Sequence, residues 1–351
     1  MILPGLIDVH THLRVPGGEH KEDFATGTMA ALAGGITTVL AMPNTTPPLT
    51  TLSVLQSARD KAQQNSYCDV GLFAGASEAH LAELPQLADE AVALKIYLND
   101  TFGLLRVDKL STLLTCFERW PRHKLIAMHA EEQSVAVGIG LAAAYHRPVH
   151  FCHISRKVEI ELIAAAKHRG LPVTCEVAPH HLFMTEADVD RLGALADMRP
   201  KLATAEDVAA LWAHIDTTID CIATDHAPHT LAEKKSATPP PGVAGLETSL
   251  PLMLTAVKEK RLTLDRLVSL MSTNPRHIFG LTEQPNTYIE VDPDATYTIT
   301  HESLYTKCGW TPFAGMQVTG RVEKVILRGK VVFDRTQPNP MVGQRGNGRV
   351  V

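Results

Sequence analysis

The sequence predicts an α/β protein, a (β/α)8 TIM barrel with a small β appendage formed mainly by the C-terminal region. Three observations lead there. Eight short apolar, β-branched runs alternate with stretches of helical periodicity. Histidine, lysine and acidic residues recur towards the C-terminal ends of those runs, where barrel enzymes keep their chemistry. After about residue 285 the alternation stops, and strand-like segments follow one another between Asp, Pro and Gly turns.

The strand runs are "LIDVHTH" (6–12), "ITTVLAM" (36–42), "CDVGLFAG" (68–75), "ALKIYL" (93–98), "KLIAMHA" (124–130), "PVHFCHI" (148–154), "PVTCEVA" (172–178) and "IDCIATD" (219–225). Helical spacing occupies 21–35, 50–64 and 156–170, closed by Gly34-Gly35 and Gly170 as helix C-termini commonly are. Strands alternating with helices argue for a parallel sheet, and eight such units match a barrel of roughly 250 residues. A doubly wound open sheet ranks second, because no Gly-rich phosphate turn follows the first strand. The barrel is assigned to residues 1–284 and the appendage with its tail to 285–351, where "TYIEVDPDATYTI" and "GRVEKVILRGKVVFD" read as strands. The closing "NPMVGQRGNGRVV" is either a poorly ordered tail or a docking segment. The stretch "TPPPGVAG" (238–245) reads as an ordered loop.

Composition narrows the function classes. With 45% hydrophobic and 20% charged residues the chain is globular rather than disordered. A formal net charge of −5 with scattered Lys and Arg gives no nucleic-acid footprint. No apolar run is long enough to span a bilayer, and the first residues carry no secretory signal. Six cysteines (68, 116, 152, 175, 221, 308), mostly within apolar runs, suit reduced thiols in a cytoplasmic protein. The unusual feature is 17 histidines, so their placement matters.

His10 and His12 lie two apart on the first strand and so share a face, where one divalent ion could bind both. Arg14 continues the same alternation, and Asp8 precedes it at the bottom of the strand, either as a support for the ligands or as a structural residue. Alone, His-x-His reads as a hydrogen-bonded pair. The recurrence of His129, His153 and Asp225 near the ends of three other strands turns it into a metal cluster. Lys95, between Leu94 and Ile96, is an ammonium that burial would push towards the neutral amine. A neutral amine can add carbon dioxide, giving a carbamate able to bridge two metals. By itself Lys95 reads as a lysine paired with Asp or Glu at the barrel mouth; the four histidines and the aspartate at neighbouring strand ends favour the carbamate. Asp225 is a ligand, a general base, or both. Bound metal would lower the pKa of water from 15.7 to about 7, and the net positive remainder of the cluster favours an anionic substrate. Arg14, in bidentate fashion, with Asn44 and His229 suits a carboxylate. The loop 98–106, with Thr101, Phe102 and Gly103 at its tip, is either an ordinary connection or a lid over substrate.

Together "GLIDVHTHLR", "GGITTVLAMPNT", "LKIYLNDTF", "MHAEE", "FCHISRK", "PVTCEVAPHHL" and "ATDHAPHT" resemble the dihydroorotases of the amidohydrolase superfamily. The likeness is strongest to the dihydroorotase domain of the multifunctional animal pyrimidine-synthesis protein, and it runs from about residue 3 to about 335. The resemblance implies one zinc on His10, His12, carboxylated Lys95 and Asp225, and a second on Lys95, His129 and His153. It implies proton transfer by Asp225, and a substrate carboxylate held by Arg14, Asn44 and His229. Arg199 and the backbone near Pro241 and Gly242 would hold the rest of the ring, and a third zinc would sit near Cys152 and Glu176. It also implies a homodimer, with association to aspartate transcarbamoylase or carbamoyl-phosphate synthetase. Two departures stand out. Few residues precede Gly5, so the appendage must come largely from the C-terminal part, and Val15 occupies a position where an acidic residue is common in the family. The expected reaction is the reversible hydrolysis of dihydroorotate to N-carbamoyl-L-aspartate. Its rivals are a dihydropyrimidinase, hydantoinase or allantoinase, and a non-catalytic scaffold.

Overall fold

The computed structural model describes every residue of the chain except Phe102, Leu104 and Ser303. Strand β1 (Ile2–Pro4) leads directly into β2 (Leu6–Thr11). The barrel continues through β3 (Ile36–Ala41), β4 (Asp69–Leu72), β5 (Ala74–Gly75), β6 (Ala93–Tyr97), β7 (Leu125–His129), β8 (Val149–Phe151), β9 (Val173–Val177) and β10 (Cys221–Ile222). β4 and β5 are one strand interrupted at Phe73, whose N–H donates to Ala41 O at 3.0 Å. All neighbours pair in parallel, in the orders β2-β3-β4 and β5-β6-β7-β8-β9-β10. The ring closes where Thr11 bridges His226 and His12 N–H donates to His226 O at 2.7 Å. Strands covered on both faces need apolar residues throughout, which is why these runs read as near-continuous Val, Ile and Leu.

Side-chain alternation divides the barrel into two levels. Ile7, Val9, Leu40, Met42, Phe73, Ala93, Leu125, Ala127, Cys221, Ala223 and Phe279 form one buried cluster filling the interior. On β6 the inward series runs Ala93, Lys95, Tyr97, and on β7 it runs Leu125, Ala127, His129. The apolar members seal the bottom, and the polar members arrive at the C-terminal mouth. Residues on the other strand faces, such as Leu94, Ile96, Ile126 and Met128, pack under the helices.

The appendage is an antiparallel sheet ordered β1-β11-β12-β13, with β11 Tyr288–Thr298, β12 Gln317–Leu327 and β13 Lys330–Asp334. As expected, the C-terminal part makes most of it, and β1 supplies one edge. It packs on helix Ser249–Lys258 through β12, where Thr319 N–H donates to Thr255 Oγ1 at 2.8 Å. Gly320, at φ +92, lies so close to this helix that a Cβ would stand 2.5 Å from Leu254 Cδ1; only glycine meets both conditions. Of the two readings of the tail, docking holds. Val70 N–H donates to Arg349 O at 2.9 Å, and Val351 N–H donates to Val70 O at 3.0 Å.

Several boundaries differ from the sequence reading. Regular pairing in the last barrel strand covers only Cys221–Ile222, and the sixth strand stops at Phe151. The next residues bend out of the ladder: His153 has φ +35 and Asp225 φ +47. The first strand ends at Thr11 with an irregular register from Asp8 to Thr11, and Arg14 sits at φ +61. Arg14 therefore reaches the mouth by a left-handed turn, which corrects the expectation that it continues the strand's alternation.

Candidate active site

The side chains that converge at the mouth come from most of the strands. His10, His12, Arg14, Asn44, Tyr97, Thr101, His129, His153, Arg199, Asp225, Pro241 and Gly242 line one cleft. Three of them, Arg14, His153 and Asp225, hold positive φ without being glycine. Each such conformation costs of order 1–3 kcal/mol and persists only where surrounding structure enforces it.

Asp225 Oδ1 lies 3.3 Å from His10 Nε2 and 3.1 Å from His12 Nε2. The opposite nitrogens of both rings are held: His12 Nδ1 bonds Asn44 Oδ1 at 2.7 Å, and His10 Nδ1 bonds Glu176 Oε1. Glu176 Oε2 in turn meets His150 Nε2 at 3.1 Å, and His150 Nδ1 meets Thr174 Oγ1 at 2.8 Å. Across the mouth, His129 Nδ1 faces His153 Nε2 at 2.9 Å, and His129 Nε2 faces Glu131 Oε1 at 3.1 Å. Lys95 is fully buried, and its Nζ lies 2.7 Å from Cys152 Sγ. Asp8 accepts the N–H groups of His10 at 3.0 Å and Thr224 at 3.2 Å, joining the ends of the first and last strands beside Asp225. Burial pushes Asp8 up to about 7.

Electrostatics set the protonation states. Burial opposes ionisation of Asp225, but His10 and His12 outweigh it and hold the carboxyl well below the usual range. Burial pushes His12 down to about 4, against the pull of Asp225. His153 is held well below the ordinary histidine value, first by burial and then by His129, His10 and Lys95. Burial pushes the Cys152 thiol up to about 12, although Lys95 opposes it. Buried neutral imidazoles beside an ionised carboxylate are the state that metal binding requires.

The donor set fits metal ions. Ligand atoms of His10, His12 and Asp225 lie within 4.8 Å of one another, as do those of His10, Cys152 and Glu176. His153 Nδ1 is buried and has no hydrogen-bond partner among the described residues. The candidate third site is thus not separate from the first, because His10 belongs to both.

Beside this cluster stands a cationic wall. Arg14 Nη2 lies 3.0 Å from His229 Nε2, and Arg14 Nε donates to Pro228 O at 3.1 Å. Burial pushes Arg14 down to about 10. His229 is held far below its ordinary value, first by burial and then by Arg14, Lys21 and Lys234. Gly242 has φ +137, and a Cβ there would stand 2.4 Å from Ala227 O. Its N–H donates to Asp197 O at 2.8 Å, and Asp197 ion-pairs with Arg199. Lys234 donates to Asp197 O, Pro240 O and Gly242 O at 3.0, 3.0 and 3.1 Å, tying these two segments together.

Of the sequence-predicted residues, His10, His12, Arg14, Asn44, Thr101, His129, His153, Arg199, Asp225, Pro241 and Gly242 line this cleft. Lys95, Cys152 and Glu176 are buried outside its lining, Lys95 against Cys152 and Glu176 against His10, while His229 stands against Arg14 and Phe102 lies outside the described residues. Sequence reasoning missed Tyr97, Glu131, His150, Lys21 and Lys234. Two carried a legible signal: Tyr97 and His150 sit two residues from Lys95 and Cys152 on the same strand alternation.

The Amidohydrolase family model matches residues 1–332. The chain is 54% identical over 94% of its length to Multifunctional protein CAD of Squalus acanthias, of which it spans 15%. It is 37% identical to Dihydroorotase of Geotalea daltonii, covering 95% of this chain and 88% of that protein. Among solved structures, L-hydantoinase (dihydropyrimidinase) from Arthrobacter aurescens superposes with TM-score 0.93 at 26% identity, covering 100% of this chain and 88% of that one. The inactive dihydroorotase-like domain of the Chaetomium thermophilum CAD-like multifunctional protein superposes with TM-score 0.83 at 29% identity, covering 100% and 99%. The chain belongs to the amidohydrolase family, in its dihydroorotase branch.

Proposed function

We propose that this chain is a metal-dependent dihydroorotase, opening the ring of dihydroorotate to N-carbamoyl-L-aspartate and closing it again. One observation carries the reading: the Arg14–His229 wall stands directly beside the His10, His12 and Asp225 cluster. A ring that is both a cyclic amide and a carboxylate would meet both.

His10, His12 and Asp225 would hold one zinc and His129 with His153 a second, bridged by a carboxylated Lys95. When bound, the metals supply Lewis acidity and a lowered pKa for water. The chain's own residues do the rest. Asp225, ionised and fixed by two histidines, accepts the proton of the attacking water and returns it to the ring nitrogen as the C–N bond breaks. Arg14 and His229 clamp the carboxylate and orient the ring carbonyl. Asn44 fixes His12 and faces the same cleft, and Thr101, Arg199, Pro241 and Gly242 bound the ring's remaining edge. Cys152 and Glu176, sharing His10, are the candidate ligands of a third zinc.

The hydantoinase likeness is one of fold, and the cationic wall favours a carboxylate-bearing ring. The inactive relative raises the scaffold reading; retention of every candidate ligand argues against it. Replacing Arg14 with Met tests the assignment. Loss of a buried charge-assisted contact is expected to lower kcat/KM for dihydroorotate by about 100-fold, with little effect on a carboxylate-free ring such as dihydrouracil. An equal effect on both would contradict it.

We also infer a cytoplasmic homodimer working beside carbamoyl-phosphate synthetase and aspartate transcarbamoylase. No helix among the described residues is long and apolar enough to cross a membrane. Helix Gln133–Tyr145 carries no charged residue, and Val137 on it lies exposed, as do Val158 and Leu162 on the adjoining helix Lys157–His168. That apolar face suits a second copy of the chain.

A further inference from the structure

The loop after β2 brings Lys21 back beneath the cationic wall, where it is buried against His229. Its Nζ lies 3.1 Å from His229 Nδ1 and 3.1 Å from Glu233 Oε1. The other oxygen, Glu233 Oε2, is 4.0 Å from the same Nδ1 and accepts Thr230 N–H and Oγ1–H at 2.9 and 3.0 Å. On the far side of the ring, Nε2 lies 3.1 Å from Pro241 O and 3.0 Å from Arg14 Nη2.

These neighbours determine where the ring proton sits. A neutral imidazole has one N–H and one lone pair. An ammonium has only hydrogens to offer, so the nitrogen facing Lys21 must present its lone pair. Nε2 faces a donor as well, Arg14 Nη2 at 3.0 Å, but it also has an acceptor within reach, Pro241 O at 3.1 Å, whereas on the Nδ1 side the Glu233 carboxylate oxygen stands at 4.0 Å. The hydrogen then lies on Nε2 and is given to Pro241 O. Burial among Arg14, Lys21 and Lys234 keeps the ring from gaining a second proton. Without the ammonium, Glu233 would be the nearest charged group to Nδ1, and a carboxylate can only accept. The hydrogen would be drawn to Nδ1, leaving a lone pair on Nε2.

We propose that Lys21 is a positioning residue that sets the tautomer of His229. It screens the ring from Glu233 and keeps the hydrogen on Nε2, so that an entering carboxylate meets Arg14 Nη2 and an Nε2–H that it would share with, or take over from, Pro241 O. The role of the carboxylate rests on the dihydroorotase reading; the tautomer does not.

The test is 15N NMR of the zinc-loaded full chain labelled at histidine, with His229 assigned by the signals missing from His229→Gln. The wild type is expected to show protonated Nε2 and unprotonated Nδ1. Lys21→Met is expected to move the hydrogen to Nδ1, and the double variant Lys21→Met with Glu233→Gln to move it at least half-way back. In kinetics, Lys21→Met is expected to raise KM for dihydroorotate by about 10- to 100-fold, with a smaller fall in kcat. The double variant should recover most of that rise, and Lys21→Arg, which keeps a donor, should stay within about threefold of wild type. A wild type protonated on Nδ1, or a Lys21→Met protein still protonated on Nε2, would overturn the proposal. The wild-type spectrum decides even if Lys21→Met does not fold. If dihydroorotate is not a substrate but His229 shows the expected tautomers, the functional reading fails and the role of Lys21 stands.

Discussion

Glu176 accepts a hydrogen bond from His10 Nδ1, and this contact leaves His10 Nε2 facing Asp225 Oδ1 at 3.3 Å. The carboxylate thereby selects which nitrogen is offered to the mouth, and His150 steadies Glu176 from behind at 3.1 Å.

Two roles for Glu176 give different outcomes. As an orienting partner of His10, its loss should weaken metal binding by about 10- to 100-fold. As a ligand of a third zinc, its loss should remove one equivalent and spare the other two. Zinc content of Glu176→Gln after dialysis against graded chelator separates them. We expect a stoichiometry one lower than wild type with the remaining zinc held less tightly, because His10 serves both sites. Unchanged stoichiometry and affinity would contradict both roles.

Asp225 is ionised, with Oδ1 3.3 Å from His10 Nε2 and 3.1 Å from His12 Nε2. Asp225→Ala should retain part of the metal while kcat falls by at least about 10³-fold in both directions, at the upper part of the range for a lost acid–base group. Turnover assays at fixed zinc, started from dihydroorotate and from N-carbamoyl-L-aspartate, check this. A loss in one direction only would exclude a shared proton shuttle.

His181 is buried, its Nε2–H donates to Pro200 O at 3.2 Å, and burial pushes it down to about 4. The folded state therefore holds this ring neutral where the unfolded chain, near 6.5, already binds a proton. Its contribution is complete above about 6.5 and disappears as pH falls through about 4. Urea unfolding of wild type and His181→Gln, compared so that shared effects cancel, should show the wild type losing up to ~3 kcal/mol relative to the variant across that window. A difference independent of pH would contradict a neutral buried His181.

Val137 and Leu162 lie exposed on neighbouring helices. If this face joins two copies, Val137→Glu with Leu162→Glu should shift the mass measured by light scattering from two chains to one, with the circular dichroism spectrum unchanged. A dimer that survives both charges would place the interface elsewhere.

Much of this site is legible in the sequence because strand alternation projects the inward residues of β6 and β7 into the mouth, so Lys95 and His129 could be placed from spacing alone. Spacing fails where the backbone leaves the ladder. Arg14, His153 and Asp225 all adopt positive φ, and nothing local announces it. The partners that orient the ligands were also hidden. Glu176 meets His10 across 166 residues, and Lys21 meets His229 across 208. Such pairings exist only once the barrel closes. The tail was ambiguous for the same reason: its Gly, Pro and Asn composition resembles disorder, yet Arg349 N–H finds Asp69 Oδ1 at 2.8 Å and Val350 pairs with β4.

The most direct test of the central claim is kcat/KM of the zinc-loaded chain for dihydroorotate, measured beside dihydrouracil, hydantoin and allantoin. A carboxylate clamp of Arg14 and His229 next to the Asp225 cluster predicts preference for dihydroorotate by at least about 100-fold, since each buried charge-assisted contact is worth roughly 1.5–3 kcal/mol. Preference for a ring without a carboxylate, or no turnover of any of the four with zinc bound, would contradict it.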